Sequence, residues 1–305
     1  MRVDVEAVEA LHFDDGSPVR AASAIAPFGD GFLISQDDAT SACWWRSGVS
    51  TPVRLLPPVQ GHDTFSEAEH TKRLKPDLEA ALAVTLDDEP AVLLLGSGST
   101  DARMRAVLAG LRDGVPWAVS RDLSPLYARV GDLLGLEPEQ LNLEGACVLA
   151  GTLRWFHRGR PGAGLPSSSV DLDLAALVAA VAGRAEPAGL HATGVLTYDV
   201  GEVDGIGLAV TDAVTLPDGR VLVSAAAEDS PDAYDDGPVV GSALAVLDGT
   251  RVRATAPLPT VGGRVAKVEG LAVLEWDEHG GRVLATVDED DPTVASALLT
   301  LRVSL

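Results

Sequence analysis

The feature that most constrains this chain is an internal repeat. Five segments share one pattern: a short apolar run, a turn, a second apolar run, then a polar or glycine-rich cluster. Matching positions in them are Ser23, Glu79, Glu144, Thr211 and Glu269, at spacings of 56, 65, 67 and 58 residues. The mean spacing is 61.5, so the 305 residues accommodate five units. The runs end in Asp-Gly, Gly-Asp or Gly-Gly and resume as strands, as in Pro217-Asp218-Gly219-Arg220-Val221. A period of this length, filled by short strands, predicts an all-β fold, a five-bladed β-propeller with about four strands per blade. The chain after Glu269 is too short for a full blade. Residues 1–13, in which Val3, Val5, Val8 and Leu11 roughly alternate, are expected to supply the missing outer strand and close the ring of a single domain spanning 1–305. Six blades is the alternative, because residues 185–205 have room for an irregular one.

Helical patterning is sparse. Residues 101–112, 125–136 and 171–182 read as short helices inserted between strands. The Pro/Gly/Ser stretch 160–169 reads as a loop and not as a domain boundary.

Composition bounds the partners. Hydrophobic residues make up 46% of the chain, enough for a substantial core, and the formal net charge is −22. Such a charge repels nucleic acid polymers and anionic membrane surfaces, leaving cations, or small ligands that arrive with a cation. The two cysteines, Cys43 and Cys147, form neither a disulfide framework nor a zinc spacing. The charged, alternating N-terminal residues and the lack of a ~18-residue apolar run lead to the expectation of a cytoplasmic protein. The oligomeric state is left open.

In a propeller the innermost strand of each blade lines the central channel, so equivalent inner-strand residues converge. Ser23, Glu79, Glu144, Thr211 and Glu269 therefore predict an axial ring of three carboxylates and two hydroxyls. Oxygen donors alone suit a hard cation: Ca²⁺, with its flexible shell of about 6–8 oxygens, in preference to Mg²⁺. The absence of His and Cys from the ring argues against zinc and copper. Without a cation, three glutamates would raise one another's pKa. The plainer alternative needs no ion, with Glu79 paired to Lys75 and Glu269 to Lys267.

With this ring the chain resembles the calcium-activated nucleotidases (apyrases), five-bladed propellers with calcium on the axis. Leu33-Ile34-Ser35-Gln36-Asp37-Asp38-Ala39-Thr40 resembles that family's first-blade Asp-Asp element. Glu144-Gly145-Ala146-Cys147, with Arg154-Trp155-Phe156 and the arginines Arg158 and Arg160, resembles its third-blade element. Lys267-Val268-Glu269-Gly270-Leu271 resembles its last-blade Glu-Gly element. The chain departs from the family pattern at Gly96-Ser97-Gly98-Ser99-Thr100-Asp101, which lacks the basic residue expected just after the glycines.

The resemblance implies hydrolysis of phosphoanhydrides or phosphoesters in small molecules. The second strands end at one rim, which gathers the candidates. Asp37 would orient or deprotonate water with Asp38 in support, and Arg158 would stabilise the transferred phosphoryl group. Lys75, Arg160, Ser97 and His157 are candidate substrate contacts, with the glycines beside Ser97 letting backbone N–H groups approach an anion. Each has a plainer reading: Asp-Asp as a solvated turn, Gly-Ser-Gly-Ser as a loop, His157 as a satisfied structural histidine. The acidic stretches 229–237 and 288–291 are charged loops, the latter with some character of a second cation site. Two rival functions remain: a non-enzymatic, cation-stabilised propeller that binds a small ligand or protein partner, and a lactonase or esterase with His157 as base.

Overall fold

The chain, described at residues 1–228, 238–289, 291 and 293–305 of a computed structural model, opens on β1 (Arg2–Ala10), which leaves its sequence neighbours for the far end of the chain. The next four strands form blade one: β2 (Ala22–Phe28), β3 (Gly31–Gln36), β4 (Ser41–Arg46) and β5 (Val49–Arg54). Blade two is β6 (Leu78–Leu86), β7 (Glu89–Gly96), β8 (Arg105–Arg112) and β9 (Val115–Asp122). Blade three is β10 (Leu143–Leu149), β11 (Thr152–His157), β12 (Ser167–Asp173) and β13 (Ala192–Tyr198). A small hairpin, β14 (Glu202–Val203) and β15 (Ile206–Gly207), precedes blade four. Blade four is β16 (Ala209–Thr215), β17 (Val221–Glu228), β18 (Val239–Asp248) and β19 (Arg251–Pro257). Blade five is β20 (Val268–Asp277), β21 (Gly280–Val287) and β22 (Ala297–Ser304), with β1 antiparallel to β22 as its fourth strand, Arg2 opposite Ser304. The inner strands β2, β6, β10, β16 and β20 adjoin in that order, and β20 adjoins β2, so the ring closes with five blades. The acidic stretch 229–237 and Asp290 lie outside the described residues.

The apolar core is divided as the blades are. Five clusters of buried side chains occupy the five interfaces, from blades one and two around to five and one. Both faces of a blade are therefore covered, and its central strands read as unbroken apolar runs. That explains one departure from expectation. Residues 101–112 form only a 3₁₀ turn, Asp101–Arg103, before β8, whose Ala106, Val107, Leu108 and Ala109 are all buried. Lacking alternation, this run imitates a buried helix in sequence. The other two helices are present, though each is shorter at its start or end than expected. α1 (Ser124–Leu134) carries Pro125 in its first turn and stops at Gly135, whose φ of 67° suits a residue without Cβ. α2 (Leu174–Val181) starts after β12, where Asp173 accepts the Ala176 N–H at 2.8 Å. Both helices enlarge the interface of blades two and three, and Tyr127 of α1 packs edge-on against Trp155. Residues 185–205, the possible sixth blade, instead supply β13 and the start of the small hairpin.

One irregularity recurs on all five inner strands. Each carries a β-bulge near its start, at the second residue of β2, β6, β10 and β20 and the third of β16, so Ser23, Glu79, Glu144, Thr211 and Glu269 fall outside the regular pairing with the second strand. A bulge re-aims the side chain it carries. Next to it, close approach decides the residue type: a Cβ on Gly145 would lie 2.5 Å from Asp212 Cα, and one on Gly270 would lie 2.8 Å from Ala24 Cα. Asp212 carries a buried carboxyl that accepts the Leu271 N–H at 2.6 Å. Burial pushes this carboxyl well above its usual range, against the N–H groups of Ala213, Leu271 and Ala146 that favour its charged form.

Candidate functional site

The bulged ends of the inner strands and the ends of the second strands surround a cavity of about 860 Å³ at one mouth of the channel. Its wall carries two clusters of buried charge.

The first cluster belongs to blades one and two. Asp37 follows β3, and its carbonyl accepts the Asp77 N–H at 3.0 Å, which sets the two acids side by side. Lys75 Nζ lies 2.6 Å from Asp37 Oδ2 and 2.6 Å from Asp77 Oδ1. Arg103 donates to Asp77 Oδ2 at 2.8 Å, and the Ser97 hydroxyl donates to the same oxygen. Arg20 donates through Nε to Asp38 Oδ2 at 3.0 Å and closes the pair with a second bond from Nη2. Glu79 completes the cluster and makes no hydrogen bond or ion pair among the described residues. Oxygens of Asp37, Asp77 and Glu79 lie within 4.8 Å of one another.

The second cluster belongs to blades three, four and five. Glu144 Oε1 accepts from Asn142 Nδ2 at 2.8 Å and from Arg158 Nη1 at 3.0 Å. Its other oxygen, Oε2, is buried without a hydrogen-bond partner among the described residues. Arg158 also reaches Glu228 at 2.5 Å, and Lys267 bridges Glu228 at 3.3 Å and Glu269 at 3.0 Å.

The electrostatics follow from this pairing. Asp77 is held at about 2, because Lys75 and Arg103 outweigh its burial. Glu228 is likewise lowered, Arg158 and Lys267 overcoming burial. Burial pushes Glu79 well above its usual range, helped by the charges of Asp77, Asp37 and Glu144. Burial also raises Glu144, to about 8, because the Glu269 and Glu228 charges offset part of the relief from Arg158 and Lys267. Among the described residues, nine carboxylates line the cavity (Asp37, Asp38, Glu67, Asp77, Glu79, Glu144, Glu269, Asp288, Asp291) against six cations (Arg20, Lys72, Lys75, Arg103, Arg158, Lys267), so the wall is formally negative. The upward shifts at Glu79 and Glu144 come chiefly from burial, and neighbouring carboxylate charges add to them.

The expected residues divide accordingly. Asp37, Asp38, Lys75, Arg158, Glu79, Glu144 and Glu269 all line the mouth. The ring hydroxyls serve as stitches between blades: Ser23 donates to Leu78 O at 2.7 Å, and Thr211 donates to Val268 O at 2.6 Å. Lys75 pairs with Asp37 and Asp77 in place of Glu79, whereas Lys267 does pair with Glu269. Ser97 lies buried beneath Asp77, and the N–H groups of Ser97 and Gly98 are taken by Asp77 O and Arg103 O, so this loop offers no anion cradle. His157 is buried away from the cavity wall, donates from Nε2 to Gln140 O at 2.8 Å, and is lowered in pKa by burial. Arg160 lies outside the wall, its N–H bonded to Leu165 O.

Among the wall's charged and amide residues, Arg20, Glu67, Asp77 and Asn142 escape sequence reasoning. For two of them a signal existed. Asp77 and Asn142 stand two residues before Glu79 and Glu144, as Lys267 stands before Glu269, and a spacing of two returns to the same side of a strand.

Fold and site together define a five-bladed β-propeller with a buried, acid-rich ionic mouth on its axis. A family model described as a family of unknown function (DUF6910) matches residues 71–292, and the chain belongs to that family. No curated protein matches the chain in sequence. Among solved structures, a hypothetical protein from Leishmania major is similar at 11% identity and a TM-score of 0.48, over 99% of this chain and 91% of that one. An α-L-arabinanase from Penicillium chrysogenum, complexed with arabinobiose, is similar at 9% identity and a TM-score of 0.45, over 93% and 97%. The aldose sugar dehydrogenase of Streptomyces coelicolor, in its PQQ-bound form, is similar at 11% identity and a TM-score of 0.40, over 97% and 98%.

Proposed function

We propose that the axial mouth is a hard-cation site that hydrolyses small phosphorylated molecules, in the manner implied by the resemblance to apyrases. The observation that carries this reading is the convergence of Asp37, Asp77 and Glu79 oxygens within 4.8 Å, in a wall that also presents Arg158 and Arg103. The donor set fits the ion: all are carboxylate oxygens, in a wall whose described residues are formally negative. Ca²⁺ is the ion of choice, with Mg²⁺ the alternative. When bound, it would supply Lewis acidity to a phosphoryl oxygen. The remaining roles belong to the chain. Asp37 would orient water or take its proton, while Asp38 supports it and is itself fixed by Arg20. Arg158, now held by Glu144 and Glu228, would share its guanidinium with developing phosphoryl charge. The cavity, about 860 Å³, accommodates a ligand of nucleotide size.

The test is phosphate release from nucleoside di- and triphosphates and sugar phosphates, in calcium and in EDTA. Calcium-dependent turnover that disappears in Asp37→Asn, with the fold intact, supports the reading. No release from any of these substrates removes it. A second reading is favoured by one observation: Lys75, Arg103, Arg158, Lys267 and Arg20 are each engaged by a wall carboxylate. On that reading the propeller binds a cation for stability and a small ligand at its mouth without chemistry. Calcium then raises the melting temperature while every substrate stays intact.

A further inference from the structure

We infer that Lys75 is a resident cation that determines which ions the axial cluster accepts: it shuts out monovalent ions and yields to divalent ones. The inference rests on the reading of Asp37, Asp77 and Glu79 as a cation site, and concerns that site's selectivity.

Geometry places the ammonium where an ion would sit. Its Nζ is 2.6 Å from one oxygen of Asp37 and 2.6 Å from one of Asp77, two of the three converging groups. The side chain is only 13% exposed. Its backbone is pinned as well: the Lys75 N–H bonds Lys72 O at 3.1 Å across the 3₁₀ turn Lys72–Leu74, and Pro76 follows. The ammonium is thus a part of the wall and not a surface charge folded inward by chance.

An acid cluster alone would not argue for an exogenous ion, because Lys75 already satisfies two of its members. The independent sign comes from the opposite wall. Glu144 is a carboxylate 7% exposed on the same cavity, with Oε2 buried and unpartnered and its charge felt by Glu79. Buried polar atoms are nearly always paired, and an orphaned carboxylate oxygen is costly to retain. Together with Glu79, which pairs with no other described residue, it gives two acids on this cavity that Lys75 does not serve.

Selectivity then follows from charge. A monovalent ion entering the cluster brings the same single charge as the ammonium, without its three N–H donors, and must shed its own water. It gains nothing by displacing Lys75. A divalent ion brings twice the charge and recruits Glu79, so it alone repays the displacement of the ammonium. Lys75 therefore weakens affinity for the proper ion and makes the site blind to the abundant wrong ones.

The experiment is titration calorimetry of the full chain with CaCl₂, in choline chloride and in NaCl at equal ionic strength, for wild type, Lys75→Met and Lys75→Arg. Wild type is expected to bind calcium equally in both salts. Lys75→Met is expected to bind at least tenfold more tightly in choline chloride and to lose most of that gain in NaCl, as Na⁺ enters the vacated place. Lys75→Arg, which keeps the charge, is expected to show no gain. Lys75→Gln replaces Lys75→Met if the latter does not fold by circular dichroism. Calcium binding in the neutral variant that is no tighter than in wild type overturns the inference while leaving the cation site standing, as does equal sodium sensitivity in both proteins. Absence of calcium binding in all variants overturns the cation site and the inference with it.

Discussion

Glu144 offers a direct test of how the mouth manages its surplus charge. In the ion-free protein its carboxyl is raised to about 8, against an ordinary value of 4.5. Above pH 4.5 the unfolded chain releases this proton, whereas the folded chain keeps it until about pH 8. The folded state then binds more protons than the unfolded state, so stability falls as pH rises through that window. The slope is about 1.4 kcal/mol per pH unit for one group, or about 2.7 kcal/mol between pH 5.5 and 7.5. Glu144→Gln removes the titration, matches the shape of the protonated acid, and keeps an oxygen for Asn142 and Arg158. Urea denaturation in EDTA at the two pH values should show the wild type losing about 2.7 kcal/mol more than the variant as pH rises. Glu79 also feels the Glu144 charge, so the difference reads the Glu144 proton together with what that charge adds at Glu79. Parallel losses in the two proteins would refute the account of Glu144 as a proton-holding carboxyl.

Other expectations are structural. Gly145→Ala places a Cβ 2.5 Å from the Asp212 backbone and should cost about 1–3 kcal/mol or more by thermal melting, because backbone on the neighbouring blade must move. Thr211→Val and Ser23→Ala remove the stitches to Val268 O and Leu78 O; each should lower stability by about 1–3 kcal/mol. If these hydroxyls are stitches and not ligands, calcium affinity measured by calorimetry should change by less than about twofold in either variant, well under 1 kcal/mol.

The blade count and the five inner-strand positions were legible because a repeat writes the same solution five times. Ser23, Glu79, Glu144, Thr211 and Glu269 matched in sequence, and all five proved to be the bulged residues. What each does there was less legible. Hydroxyl and carboxylate look alike as oxygen donors in a sequence, yet Ser23 and Thr211 reach a neighbouring carbonyl while Glu144 and Glu269 meet cations. Some partners sit in the same blade, as Arg20 clamps Asp38 from eighteen residues away, and others in the next, as Arg158 of blade three reaches Glu228 of blade four. Such pairings depend on how the blades are set around the axis, which periodicity does not encode. The run that became β8 misled for a related reason, since a strand buried on both faces loses the alternation that identifies strands.

The pairing of β1 with β22 has a consequence for how the protein is made. Arg2 meets Ser304, so β1 leaves the ribosome long before its partner β22 does. Four blades can assemble from strands close in sequence, but the fifth must wait for β22. Until then β1 travels as an unpaired ribbon, and β21, paired on one side to β20, lacks its other neighbour. Ring closure is thus slow to form, because the loop it closes is about three hundred residues long. A ribosome stalled before β22 would hold a chain with four finished blades and an open seam, a state exposed to capture by proteases or by another copy of itself.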